Sequence, residues 1–427
     1  MRIMWVVNLM IGALATHHGC NMTSGQWLNA EIEKEKDANT NQLIICTSGA
    51  VSETYDDANI RYIVLPHGFV STYQLTEEHL RDWVDLISAE QPDLILIWGT
   101  EYAIGRCVLM ANEKKLPTAI YVQGVMSAIA ENYRGGLSDQ EIWKFTTLLE
   151  RFRHRTIFDI EAKHRNSAIN EIEAVSLADS LILENDWAEV QYRKIAPNIS
   201  IYRSRLPIQK SFSSYQWQEG QYTPHTIITT AAAYPLKGLH VLLRAIERVK
   251  KQYPDVHMLV PGVNEVFVKG FRKKLRQSGY CKFLESYIRS HHLIDNIDFI
   301  GPQSSEQYAA HMQGSELFIT ASAIENHCST LREAMSVGVP CISSAVGGII
   351  AYAIDHKNCS LFPYNHPDQL ASAICELFDN RELREHYSNA GKKCIADMYT
   401  DFPKLSLPEI YYDLVQGKQS NKGKEEE

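Results

Sequence analysis

No run in this sequence stays apolar over the roughly 18 residues that a membrane-crossing helix needs. Paired cysteines are missing as well. The nine cysteines, Cys20, Cys46, Cys107, Cys281, Cys328, Cys341, Cys359, Cys375 and Cys394, are scattered and odd in number. None forms the C-x-x-C pair of a zinc ribbon or dithiol redox site. Most lie in apolar runs, as small core residues do, which fits a reducing, cytoplasmic compartment. A basic excess is absent too. The formal net charge of -9 argues against a nucleic-acid-binding face, so no nucleic-acid partner is expected. The sixteen histidines include no His-x3-His pair, and no Asp-x-Asp occurs. The doublets His17-His18 and His291-His292 read as solvated loop residues, and no metal ligand is assigned.

What is present is the composition of a soluble globular protein, 45% apolar and 22% charged over 427 residues. That length implies two domains or three. The N-terminus, MRIMWVVNLMIGALA, has two readings. Arg2, the apolar run and Ala13-Leu14-Ala15 match a signal peptide, but Ile3–Asn8 also matches a first buried strand. The scattered cysteines favour the strand.

Strand and helix patterns then alternate. Strands are expected at Gln42–Thr47, Arg61–Leu65, Asp93–Ile97, Thr118–Val122 and Ser180–Leu183, and helices at Gly25–Lys36, Thr76–Glu90 and from Tyr102. Asp93–Ile97 is continuously apolar, as in a strand buried on both faces. Ser138–Ala174 reads as helices. Its stretch Lys144–Arg165, with Phe145, Phe152 and Phe158 among basic residues, admits two readings: a surface for an anionic membrane or lipid-diphosphate acceptor, or a solvated helical face. The pattern breaks over 206–225, taken as a linker, and restarts. Strands are expected at Thr226–Ala231, Val256–Val260, Ile297–Ile300, Glu316–Thr320 and Pro340–Ser343. Helices are expected at Gly238–Lys251, Pro367–Phe378, Glu382–Asp397 and Glu409–Val415. The charged tail 417–427 reads as disordered.

This βαβ rhythm implies parallel sheets. Two doubly wound, Rossmann-like α/β domains are expected, residues 1–205 and 226–400, facing a cleft, with the final helix 405–416 packing back on the first. In such folds ligands bind outside the carboxyl ends of the strands.

One stretch gathers polar groups at such an end. Ile324–Gly348 reads IENHCSTLREAMSVGVPCISSAVGG. Glu325 precedes a helix that Ser329 can cap, Glu333 lies in its early turns, and Gly338 and Pro340 end it. Free N–H groups at such a helix start can hold an anion. The run Glu325, Glu333-Ala334-Met335, Gly338, Pro340 and Gly347-Gly348 resembles the signature of retaining glycosyltransferases of family 4, with the glycosyltransferase-B fold. Pro235-Leu236-Lys237-Gly238 is similar to the Lys-Gly turn of that family, and Ser24-Gly25-Gln26-Trp27-Leu28 to the first glycine turn of its bacterial polysaccharide-assembly members.

The resemblance implies an enzyme of the hexosyltransferase type. A nucleotide-diphospho-sugar donor would be held by Gly25, Lys237, Gly238, Gly262, Glu325, Ser329, Thr330, Leu331 and Glu333. It assigns Glu325 to the transferred sugar, Glu333 to the ribose and Lys237 to the diphosphate. Gln123 stands where many members have a sugar-contacting histidine. Ala232 stands where an arginine usually contacts phosphate, and Arg203, Arg205 and Arg332 are the cations available in its place. The acceptor would be a glycan or lipid-linked hydroxyl, and no cofactor or metal is implied. Trp98-Gly99-Thr100-Glu101, Gln123-Gly124, Asn185-Asp186-Trp187 and Gly301-Pro302 end further strands, where plain turns are equally good readings. Two other functions suit the same fold: a non-catalytic nucleotide-sugar or glycan-binding module, and a nucleotide-sugar epimerase.

Overall fold

Each long apolar run flanked by turn residues becomes a parallel strand. The computed structural model describes residues 1–19, 26–38, 40–49, 52–66, 75–230, 233–400 and 405–425. The chain divides into two units. The first holds 1–127, 164–207 and 403–427, and the second 128–163 and 208–402.

The first unit is built on an eight-stranded sheet. Its strands are β1 (Arg2–Val6), β2 (Gln42–Ser48), β3 (Glu53–Asp57), β4 (Ile60–Leu65), β5 (Leu94–Trp98), β6 (Thr118–Tyr121), β7 (Ser180–Leu183) and β8 (Ser200–Arg203). The order is β3-β4-β2-β1-β5-β6-β7-β8. Only β3 is antiparallel, pairing with β4 at the edge. β1 and β5 are buried along almost their whole length, as strands covered on both faces must be. The helix Leu407–Glu425 belongs to this unit. Leu407, Ile410, Tyr411 and Leu414 enter the same core as Ile3, Trp5 and Leu96, and Trp5 Nε1 donates to Tyr411 Oη at 3.1 Å. The helix continues through the stretch read as a disordered tail. Lys418, paired with Asp179 at 3.0 Å, ties it down, and its Gln, Lys and Glu residues are good helix formers.

The second unit has six parallel strands: β9 (Thr223–Thr229), β10 (His257–Pro261), β11 (Ile297–Gly301), β12 (Ser315–Thr320), β13 (Cys341–Ser344) and β14 (Ser360–Phe362). Their order is β11-β10-β9-β12-β13-β14. The connections run one way from β9 through β11 and then cross to β12 on its other side, which makes a switch point between β9 and β12. Residues 206–225, read as a linker, are largely packed into this unit. Phe212 and Trp217 are buried in its core, and Trp217 Nε1 donates to the Ser315 carbonyl at 2.9 Å. Two aromatics thus anchor a stretch without periodicity.

The helices of 128–163 also group with the second unit, whereas the sequence places them in the first domain. His240 explains part of this. Its Nε2 donates to the Gly135 carbonyl at 2.8 Å and its Nδ1 accepts from Tyr280 Oη at 2.9 Å. Burial depresses the His240 pKa to about 4, which keeps the ring neutral for this pair of bonds. Tyr364 Oη adds a second bond to Gly135 at 2.7 Å, and Phe145 stacks on Phe283 at 5.1 Å.

Candidate functional site

The switch point of the second unit carries the residues that the sequence singles out. The loop after β9 brings Lys237, in the turn Pro235–Lys237, to the loop after β12, which carries Glu325. Three contacts stitch the loops together. Ala323 N donates to the Leu236 carbonyl at 2.7 Å. Lys237 Nζ meets Glu325 Oε1 at 2.5 Å. Gly238, at φ +71°, packs so tightly that a Cβ there would lie 1.8 Å from the Ala321 carbonyl oxygen. A left-handed backbone and this approach both demand glycine.

The ion pair is half-shielded, with the two side chains 25% and 13% exposed. Burial pulls the Lys237 pKa down, but the Glu325 charge, Tyr234, Cys328 and the hydrogen bond to Glu325 together outweigh it, and the net shift is upward. Lys237 therefore stays cationic at neutral pH. The Gly347-Gly348 turn holds the backbone of Glu325, whose carbonyl accepts from Gly348 N at 3.0 Å.

The helix after Glu325 runs Ser329–Val337. Its N-cap is Cys328 and not the expected Ser329. Cys328 adopts a left-handed conformation, φ +44°, and makes no side-chain cap. Tyr352 Oη donates to the His327 and Cys328 carbonyls at 3.0 and 3.3 Å, which holds this approach to the helix. Ser329 moves to the first helical position, where it is exposed, with Thr330 half-buried and Leu331 buried. The Leu331 and Arg332 N–H groups donate to the Cys328 carbonyl at 3.1 and 3.4 Å, so the helix start offers the N–H groups of Ser329 and Thr330, which lie ahead of the first intrahelical bonds, and a positive dipole end. Glu333 follows, half-buried. Burial pushes its carboxyl up to about 7, against the opposing charge of Arg332. Gly262 follows β10, and its N–H donates to the Gly301 carbonyl at 2.8 Å.

The three spare arginines are already engaged. Arg332 is buried and its Nη1 donates to Tyr399 Oη at 2.7 Å. Arg203 bonds the Asn185 carbonyl, Asp186 and Glu189, and Arg205 bonds the Glu184 carbonyl. Ala232 and Gly25 lie outside the described residues. Gln123, half-buried after β6, lies in the first unit.

The first unit has a carboxylate pair that the sequence does not reveal. Glu171, fully buried on the helix Ile157–Leu177, accepts from Thr100 Oγ1 at 2.7 Å, Met126 N at 3.0 Å and Tyr192 Oη at 2.8 Å. It fastens the loops after β5 and β6. Glu101 stands beside it, its carboxyl pushed up to about 7 mainly by burial and also by the Glu171 charge, with the Gly124 N–H opposing. Only the Thr-Glu step after β5 hints at this arrangement; Glu171 comes from a helix about seventy residues later. Among the described residues, no group of three or more His, Cys, Asp or Glu is placed to hold a metal ion.

Residues 212–394 match the family model of "Glycosyl transferases group 1". Among curated proteins, the phosphatidyl-myo-inositol mannosyltransferase of Mycobacterium leprae is 28% identical over 38% of this chain and 39% of its own length. The chain spans half or less of the length of the curated relatives it matches. Among solved structures, the sucrose-phosphate synthase of Thermosynechococcus elongatus aligns over 99% of both chains with a TM-score of 0.66 and 14% identity. The Anabaena protein HepE, solved with UDP and glucose, aligns over 99% of this chain and all of its own, with a TM-score of 0.62 and 13% identity. Residues 212–394 are thus similar to the glycosyl transferases group 1 domain, in a chain with the two-domain fold of these solved structures, the glycosyltransferase-B fold.

Proposed function

We infer that this enzyme is a retaining glycosyltransferase that moves a sugar from a nucleotide-diphospho-sugar to a hydroxyl of a glycan or lipid-linked acceptor, in bacterial surface polysaccharide synthesis on the cytoplasmic side of the membrane. The observation that carries the reading is the Lys237–Glu325 pair at the switch point of the group 1 domain, next to an uncapped helix start. A diphosphate is a dianion or more. A shielded lysine and the first N–H groups of a helix are what it needs.

In this reading Lys237 and the N–H groups of Ser329 and Thr330 hold the diphosphate beside Leu331, while Gly238 and Gly262 let backbone approach it. Glu333 accepts from the ribose hydroxyls. Glu325 accepts from hydroxyls of the transferred sugar. Gln123 serves the sugar from the first unit. The acceptor hydroxyl attacks on the face from which the diphosphate leaves, and the departing phosphate oxygen takes its proton, so the anomeric configuration is retained. The chain's work is alignment and stabilisation of the negative charge that builds on the leaving group.

The test is a transfer assay with UDP-, GDP- and ADP-sugars against a panel of glycan and lipid-diphosphate acceptors, with product stereochemistry read by NMR. Lys237→Ala and Glu325→Ala should each lower turnover by roughly a hundredfold or more. Unchanged turnover in either, or an inverted product, defeats the assignment.

A further inference from the structure

Although the chain is acidic overall, residues 266–284 carry six basic residues and no acidic one: Lys269, Arg272, Lys273, Lys274, Arg276 and Lys282. They follow β10 and surround the short helix Phe271–Arg276. Two apolar side chains at helical spacing stand out of it, Phe271 82% exposed and Leu275 56% exposed, and Val263 on the approach is 71% exposed. Large apolar groups this exposed are unusual for a soluble face with nothing upon it. The acidic groups nearby are Glu265, at the edge of the segment, and Glu285, which is taken up by Arg289 at 2.9 Å and reached by Lys274 at 3.9 Å. Phe271, Leu275, Lys274, Lys282, Glu285 and Arg289 also help to line an open hollow of about 640 Å³.

A second element of the same composition is joined to this one. The helix Leu148–Phe152 exposes Leu148 by 81% and Phe152 by 84%, again at helical spacing, with Arg151, Arg153 and Arg155 exposed beside them. Glu150, the acidic residue of this helix, is turned inward. Its carboxylate accepts from Gly279 N at 2.8 Å, three residues past Arg276. A Cβ at Gly279 would lie 2.1 Å from the Phe145 carbonyl oxygen, so the junction is close. It engages the half-buried Glu150 carboxylate and joins the two elements that carry the apolar pairs within the second unit.

We propose that this joined face, Leu148/Phe152 with Phe271/Leu275 and their arginines and lysines, docks the protein on an anionic lipid bilayer. The charge selects an anionic partner. The four protruding apolar side chains favour an acyl boundary over a hydrophilic polyanion, because insertion into the interface is where such side chains gain from burial. The lysines and arginines add attraction to acidic headgroups that fades within a Debye length.

The test uses the full chain and vesicle co-sedimentation, with vesicles of phosphatidylcholine alone or with about 30% phosphatidylglycerol, at low and high salt. Binding to the anionic vesicles alone, weakened by salt, is expected. Reversing three charges in R272E/K273E/K274E should weaken it roughly a hundredfold, and F271A/L275A and L148A/F152A about tenfold each. Circular dichroism melting checks that these surface variants stay folded. No binding to anionic vesicles overturns the proposal. So does binding that survives L148A/F152A, which would break the joined face, or equal binding to heparin that ignores both apolar pairs, which would make the partner a soluble polyanion. Vesicle binding is read without donor or turnover, so its outcome is independent of the transfer assay.

Discussion

The Lys237–Glu325 pair can be probed as a cycle of Lys237→Met, Glu325→Gln and the double variant. At 2.5 Å and an effective dielectric near 20, the direct attraction is about 7 kcal/mol. Most of it is offset by the desolvation of two partly shielded charges, and the remaining exposure screens the pair further. A coupling of about 2 kcal/mol is expected. Lys237→Met should cost about 2–3 kcal/mol, because it leaves the Glu325 carboxylate, only 13% exposed, without its cation. In a unit of this size that is a fall of roughly 5–10 °C in melting temperature. The double variant should cost clearly less than the two singles together. Calorimetric melting of the four proteins in one buffer measures the cycle. Additivity within about 0.5 kcal/mol would refute the reasoning, since it would mean that neither side chain depends on the other.

Two further outcomes follow from the same site. Gly238→Ala combines a left-handed backbone with a Cβ driven against the Ala321 carbonyl; it should lower the melting temperature by several degrees and abolish transfer, whereas a variant that melts and turns over like the wild type would contradict the described loop packing. Glu333 holds a raised carboxyl pKa of about 7. Its contribution to stability is therefore complete below about pH 4.5 and is lost as pH rises through 7. The stability lost between about pH 5 and pH 8 should be smaller in Glu333→Gln than in the wild type; parallel pH profiles from urea titrations would count against the shift.

Much of the fold is legible because parallel strands buried on both faces need unbroken apolar runs, as Leu94–Trp98 shows. What was hidden has physical reasons. β3 is a polar edge strand, alternately half-buried and exposed, so it offers no apolar run. β14 spans three residues, too few for a period to show. Phe212 and Trp217 turn an apparent linker into core, since two anchoring rings leave no periodic trace. The grouping of 128–163 with the second unit depends on contacts such as His240 with Gly135, more than a hundred residues apart, for which local pattern has no signal. In the site, Lys237 and Glu325 could be named through the resemblance of their turn and helix to a known family signature, and the helix after Glu325 could be placed. The cap fell one residue early, on Cys328, because the backbone enters that helix in a left-handed conformation, where the usual side-chain cap of a serine does not operate.

The threading of the chain has a consequence for its synthesis. Trp5, in the first strand, is completed by Tyr411, 406 residues later, and the helix that carries Tyr411 supplies several side chains of the same core. At about 5–20 residues per second, the first strand waits roughly 20–80 s on the ribosome for its last partner. The second unit, whose strands are made in one block from Thr223 to Phe362, can close during that wait. The core around Trp5 is therefore sealed after that of the second unit can be, although its first strand is made earlier.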